Sequence, residues 1–232
     1  MAEGEVMQEV LAGLQNAGII AILRGVRPEL MVERAKELVS MGARALEITL
    51  DSRDALQILA QLHELMGDSI LLGVGTVMDA AQIDAAAEAG ARFALSPVQP
   101  HGMIPRCHSA GILAVPGVST PDEMWRAHTA GAEAIKLYPA SSWSLQLLGS
   151  LPSPFHTLRL IPTGGIGRKR AWEWLDGGAW GVGMSSQLVG RDITIDPTVY
   201  PGEAEEAENE WRRIDGPRTR GILMELQRRL MH

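Results

Sequence analysis

The chain holds one cysteine, Cys107, among 232 residues. A lone thiol excludes a disulfide framework and a cysteine-built metal cluster. Positive charge is in deficit, with a formal net charge of −7, and this argues against nucleic acid as a partner. No apolar run approaches the roughly 18 residues needed to cross a bilayer, so no membrane partner is expected. The first residues, Met1-Ala2-Glu3-Gly4-Glu5, are acidic, whereas a secretory signal begins basic. We therefore expect a soluble protein of a reducing, cytoplasmic compartment. Lysine is scarce too: Lys36, Lys136 and Lys169 stand against 18 arginines.

What is present begins with a normal apolar share, 46% hydrophobic against 21% charged residues, which excludes a disordered chain. The length suits a single domain over residues 1–232. Within it an internal repeat is visible. A glycine followed by a small residue leads into an apolar run four times, at Gly42, Gly90, Gly131 and Gly178, intervals of 48, 41 and 47 residues. Each interval is too long for one strand–helix unit and right for two. The intervening strands fall at Gly18–Leu23, Ser69–Val74, Gly111–Val115 and Leu158–Ile161, short Ile/Val/Leu runs of the kind buried in parallel sheets.

Amphipathic stretches separate them, at Pro28–Met41, Arg53–Met66, Asp79–Ala89 and Pro121–Ala130. The last opens Ser119-Thr120-Pro121-Asp122-Glu123, a cap, a proline and acidic residues suited to the first turn of a helix. Strand then helix, eight times at about 29 residues per unit, reads as an α/β fold of the (β/α)8 TIM-barrel type. A doubly wound open sheet would need fewer strands and leaves the fourfold repeat unexplained. Residues 1–17 read as a short N-terminal helix across the barrel bottom. An extended acidic C-terminal segment, residues 190–216, reads as a surface excursion before a final helix over 219–231.

Aligning the four repeats on their glycines places Glu47, Leu95, Lys136 and Gly183 at one register, and Thr49, Pro97, Tyr138 and Ser185 two residues on. Residues two apart share a face, and alternate barrel strands fill one interior layer. Glu47 and Lys136 would then converge from opposite walls, with Gly183 leaving a gap for them. A buried structural ion pair is one explanation, but such pairs are costly and more often mark function. In a chain that otherwise takes its positive charge from arginine, a lysine ending an apolar run points to what arginine cannot do, lose its proton and attack a carbonyl. Pro162-Thr163-Gly164-Gly165-Ile166-Gly167 and Ser185-Ser186 fall where such barrels commonly bind phosphate; a ligand-free glycine turn is the other explanation. The six histidines lack zinc-ligand spacing, and no metal is expected.

The strand ends Leu46-Glu47-Ile48-Thr49-Leu50, Gly73-Val74-Gly75-Thr76-Val77, Leu95-Ser96-Pro97, Pro116-Gly117-Val118-Ser119-Thr120, Ile135-Lys136-Leu137-Tyr138-Pro139-Ala140 and Pro162-Thr163-Gly164-Gly165-Ile166 together resemble the KDPG/KHG aldolases. These class I aldolases act on 2-keto-3-deoxy-6-phosphogluconate and 4-hydroxy-2-oxoglutarate. The resemblance covers about residues 15–190. It implies a (β/α)8 barrel, commonly a homotrimer, that forms a covalent imine and needs no metal or other cofactor. It implies Lys136 as the Schiff-base lysine and Glu47 as the general acid/base. Arg24, Thr49, Thr76, Pro97, Tyr138 and Thr163 would bind substrate, and Gly164, Gly165 and Ser185 its phosphate.

One position departs from the family pattern: Asp51 stands where many members carry a substrate-holding arginine. Asp51 should either pair with Arg53 or Arg24 or accept a sugar hydroxyl, leaving Arg24 as the anion anchor. Asp51-Ser52 resembles the phosphogalactonate branch, and Pro162-Thr163 the phosphogluconate branch. The expected activity is a lyase reaction on a small 2-keto acid that yields pyruvate and an aldehyde. A phosphosugar epimerase, a thiamine-phosphate-type synthase and a non-catalytic sugar-phosphate-binding barrel are the competing readings.

Overall fold

A computed structural model describes residues 3–190 and 215–230. Helix α1 (Glu3–Ala17) leads into strand β1 (Ile19–Leu23), and strands and helices then alternate: α2 (Pro28–Ser40), β2 (Ala45–Thr49), α3 (Ala55–Met66), β3 (Leu71–Gly75), α4 (Gln82–Glu88), β4 (Phe93–Leu95) and α5 (Met103–Ser109). The second half runs β5 (Leu113–Val115), β6 (Gly117–Val118), α6 (Pro121–Thr129), β7 (Ile135–Leu137), α7 (Leu145–Gly149), β8 (Leu160–Pro162), α8 (Arg168–Asp176), β9 (Val182–Met184), α9 (Ser186–Val189) and α10 (Gly216–Leu230). The result is an α/β fold with a curled sheet whose pairings are all parallel, in the order β5-β4-β3-β2-β1-β9 and β6-β7-β8.

Side chains alternate between two cores, as strand geometry requires. Ile19, Ala21 and Leu23 of β1 and Leu46 and Ile48 of β2 pack outward against the helices. Ile20, Ile22 and Ala45 point inward and meet Phe93, Leu113 and Ile161. Helix α1 covers the N-terminal end of this inner core with Val10, Leu11 and Leu14, and the Trp180 indole donates to the Leu11 carbonyl at 3.0 Å. The expected leading helix is therefore present and seals the end away from the site described below.

Two boundaries differ from those read in the sequence, each for a local reason. The fifth strand is split, because Pro116 has no N–H to donate to a ladder. Beyond it the Gly117 N–H donates to Val98 O at 2.7 Å, and a side chain at 117 would run into the backbone of Ser96 and Pro97. Helix α4 starts at Gln82 rather than Asp79, since the Gln82 amide oxygen accepts from the N–H groups of Met78 and Asp79 and fixes a turn there.

The cap read before α6 is present: Thr120 Oγ1 accepts from Glu123 N, and the Glu123 carboxylate accepts from Ser119 N at 2.7 Å. The final helix begins at Gly216, three residues before the expected Thr219, with Pro217 in its first turn as helix geometry favours. Most of the expected excursion over 190–216 lies outside the described residues. Among the described residues no helix is long and apolar enough to cross a membrane.

Candidate active site

The strands bring their C-terminal ends to one cavity of about 490 Å³, within the range of roughly 300–1,000 Å³ usual for small-molecule sites. Glu47, central in β2, and Lys136, central in β7, both line it, at 1% and 5% exposure. The other lysines lie outside it, Lys36 beside Glu33 and Lys169 almost wholly in solvent beside Glu173. Lys136 Nζ sits 5.5 Å from the centre of the Tyr138 ring.

Register explains why Glu47 fits. It lies opposite Ile22 on β1 and Gly73 on β3, and a Cβ on the next inward residue, Gly75, would collide with its carboxylate. Room for the acid is thus made at Gly75. Gly183 lines the cavity as well, and a Cβ there would collide with the Thr163 side chain and press on the Ile22 δ-methyl, so its missing side chain leaves room for Thr163.

Burial pushes the Glu47 carboxyl above its ordinary range, and the charges of Lys136 and Arg24 pull it only partly back. One of its oxygens, Oε2, has no hydrogen-bond partner among the described residues. A buried acid with an open acceptor and a displaced proton affinity is suited to taking up and returning a proton. Fixed structural carboxylates normally have all their oxygens satisfied.

At the rim, Arg24 donates from Nη2 and Nε to Asp51 Oδ2 at 2.7 and 3.2 Å, and from Nη2 to Thr76 Oγ1 at 3.2 Å. Of the two fates expected for Asp51, the arginine pair is the one formed, and Arg53 turns to Asp54 instead. Burial raises the Asp51 carboxyl, but hydrogen bonds from Arg24 and Thr49 and the Arg24 charge outweigh it and hold it below its ordinary range. Thr76 adopts φ +58°, a left-handed conformation costing about 1–3 kcal/mol in a β-branched residue. Such strain is typical of functional positions, and here it accompanies the contact with Arg24.

The far end of the cavity is formed by Thr163, Gly164, Gly165, Ile166 and Gly167 after β8, and by Ser185, Ser186 and Gln187 after β9. Gly164 and Gly165 have φ of +92° and +70°, and a Cβ on either would press on Tyr138 or Ser141. Among the described residues, the N–H groups of Gly165 and Gly167 donate to no backbone carbonyl, so they remain available to an anion. Arg24, Thr49, Thr76, Lys136, Tyr138, Thr163, Gly164, Gly165 and Ser185 therefore meet Glu47 in one cavity. Pro97 does not line it; its carbonyl is packed against Gly117. Ile166, Gly167 and Ser186 lay within the glycine turn and serine pair read as a phosphate site, whereas Ile22 and Gln187 were missed. Ile22 was visible as the inward residue two before Arg24, whereas Gln187 follows Ser185-Ser186 directly and carried no signal of its own. No cluster of three or more His, Cys, Asp or Glu suited to a metal occurs among the described residues.

Residues 10–198 match the aldolase family described as KDPG and KHG aldolase. The chain belongs to that family. It is 29% identical over 187 residues to the 2-dehydro-3-deoxy-6-phosphogalactonate aldolase of Escherichia coli, covering 80% of this chain and 91% of that one. It is also 29% identical over 192 residues to the 2-dehydro-3-deoxy-phosphogluconate aldolase of Treponema pallidum, covering 79% and 91%. The crystal structure of KDPG aldolase from Legionella pneumophila, with pyruvate captured at low pH as a covalent carbinolamine intermediate, aligns with a TM-score of 0.72 at 26% identity, covering 93% and 95%. Relatives named for either sugar acid thus lie at equal identity, in keeping with the mixed signature of Asp51-Ser52 and Pro162-Thr163.

The Arg24–Asp51 pair yields a measurable expectation for the aldolase site. Arg24→Ala should raise KM for pyruvate in the condensation direction by about 10- to 150-fold, corresponding to about 1.5–3 kcal/mol for a lost hydrogen bond to a charged group. Asp51→Asn retains an acceptor for Arg24 and breaks only a half-exposed ion pair, so pyruvate KM should stay within about five-fold. Steady-state kinetics of both variants decide it, and an unchanged KM in Arg24→Ala removes Arg24 as the anion anchor.

Proposed function

We propose that this chain is a class I aldolase that cleaves a 2-keto-3-deoxy-6-phospho sugar acid to pyruvate and glyceraldehyde 3-phosphate, with 4-hydroxy-2-oxoglutarate as a second substrate giving pyruvate and glyoxylate. The observation that carries it is the meeting of a buried lysine, Lys136, and a buried acid, Glu47, in one cavity. Neutral Lys136 attacks the C2 carbonyl to give a carbinolamine, which loses water to form a protonated imine. Glu47 takes the C4 hydroxyl proton as the C3–C4 bond breaks, and the bonding pair moves into the imine. The aldehyde leaves, the resulting enamine takes a proton at C3, and water releases pyruvate from Lys136. No metal or other cofactor enters these steps; the covalent imine is the electron sink.

Arg24 and Thr76 hold the keto-acid carboxylate, Thr49, Tyr138 and Thr163 contact the carbon chain, and Gly164, Gly165 and Ser185 take the phosphate. Pro97, which lies outside the cavity lining, acts only through its packing against Gly117. On the same reading, the two sheets close into one (β/α)8 barrel over a single domain. Its support is the direct passage of β5 into β6 at Pro116 and the parallel bridge from Thr163 to Gly183 between β8 and β9. From the family resemblance we extend the proposal to a cytoplasmic homotrimer whose partners are small 2-keto acids and aldehydes.

The test is pyruvate release from both C4 epimers of the phosphorylated sugar acid and from 4-hydroxy-2-oxoglutarate. Cleavage of at least one is expected, and no cleavage of any would remove the proposal. A bulky residue at position 165 separates the phosphate role from a structural one. Gly165→Val should raise KM for the phosphorylated substrate by about 10-fold or more, the scale for losing a charge-assisted hydrogen bond, while pyruvate trapping persists. Equal losses in both would make the turn structural.

A further inference from the structure

The phosphate end of the cavity rests on the shortest α-helix among the described residues. Ser185, Ser186 and Gln187 are carried by the single turn of α9, which stops at Gly190 and leaves its last carbonyls without helical partners. Two buried polar side chains from elsewhere in the chain supply the missing donors. Thr219 of α10, with 0% exposure, donates its hydroxyl to Leu188 O, and Arg34 of α2, with 4% exposure, donates from Nη1 to Val189 O. Helix α10 also reaches the other wall of the same end, where Glu225 pairs with Arg168, the first residue of α8 and the neighbour of Gly167. Arg229 binds Asp176 at the far end of α8 at 2.8 Å.

Packing alone does not call for these groups. A valine would fill the volume of Thr219, and burying an arginine requires a compensating partner. Neither Thr219 nor Arg34 lines the cavity. We propose that Thr219 and Arg34 are positioning residues, which clamp the α9 turn so that Ser185–Gln187 grip the phosphorylated tail of the substrate. The proposal rests on reading this end as the phosphate site. It makes the C-terminal helix a determinant of preference between phosphorylated and unphosphorylated keto acids.

The experiment compares steady-state cleavage of the phosphorylated sugar acid and of 4-hydroxy-2-oxoglutarate by wild type, Thr219→Val and Thr219→Ser. Thr219→Val should raise KM for the phosphorylated substrate by about 10-fold, with kcat nearly kept, as expected of a displaced binding group remote from the bond that breaks. Cleavage of 4-hydroxy-2-oxoglutarate should change by less than about two-fold, and Thr219→Ser, which retains the hydroxyl, should restore the phosphate preference. Should Thr219→Val fail to fold, Arg34→Lys carries the same comparison, with the same selective rise in KM expected. Equal losses on both substrates, or a phosphate preference that survives, overturn the clamp alone. A wild-type enzyme indifferent to phosphate overturns the reading of the site together with it.

Discussion

Lys136→Arg should lose turnover by at least about 10⁴-fold, because the covalent route disappears while the charge remains. The guanidinium stays protonated at any working pH and forms no imine with a keto group. Loss of a single contact would instead cost about 10- to 150-fold, corresponding to roughly 1.5–3 kcal/mol, so the size of the effect distinguishes a nucleophile from a binding group. Turnover of the purified variant on the phosphorylated sugar acid is the measurement. Activity within about 10-fold of wild type would mean that Lys136 serves only as a cation.

Glu47→Gln should lower cleavage by about 10²- to 10⁴-fold, the usual contribution of a general acid/base, while pyruvate still reacts with Lys136 at a reduced rate. The same substitution has a second, independent signature in stability. Burial makes folded Glu47 hold its proton more tightly than the unfolded chain does. Its contribution is therefore favourable below the ordinary carboxylate range and is lost as pH rises through that range toward the raised value. Glutamine does not titrate. Glu47→Gln should match wild type near pH 4 and become the more stable protein as pH approaches about 7. Denaturant melts at the two pH values measure this, and a stability difference that is flat with pH would place Glu47 in an ordinary environment.

The residues most legible in the sequence were those tied to the repeat. Glu47 and Lys136 occupied equivalent positions five residues after Gly42 and Gly131, and the scarcity of lysine singled out the second. Periodicity also gave the strands and most helices to within a few residues, since alternation and amphipathic spacing are local properties. What stayed hidden depends on distant parts of the chain. The space beside the Glu47 carboxylate comes from Gly75 on the next strand, while the missing side chain at Gly183 leaves room for Thr163. The split of the fifth strand follows from Pro116 together with the close approach of Pro97 to Gly117. Arg34 and Thr219 carried no signal of their own in the sequence. Their partners, the carbonyls of Val189 and Leu188, lie 155 and 31 residues away, beyond any periodic signal. Asp51 departed from the family pattern in sequence, and of the two arginines expected as its partners Arg24 is the one it meets.

The most direct measurement is borohydride reduction of the protein in the presence of pyruvate, followed by peptide mapping. A single reduced pyruvyl group on the peptide carrying Lys136, absent without pyruvate and absent from Lys136→Arg, is the expected result. An unmodified Lys136 in a protein that nevertheless releases pyruvate from the sugar acid would contradict the Schiff-base mechanism.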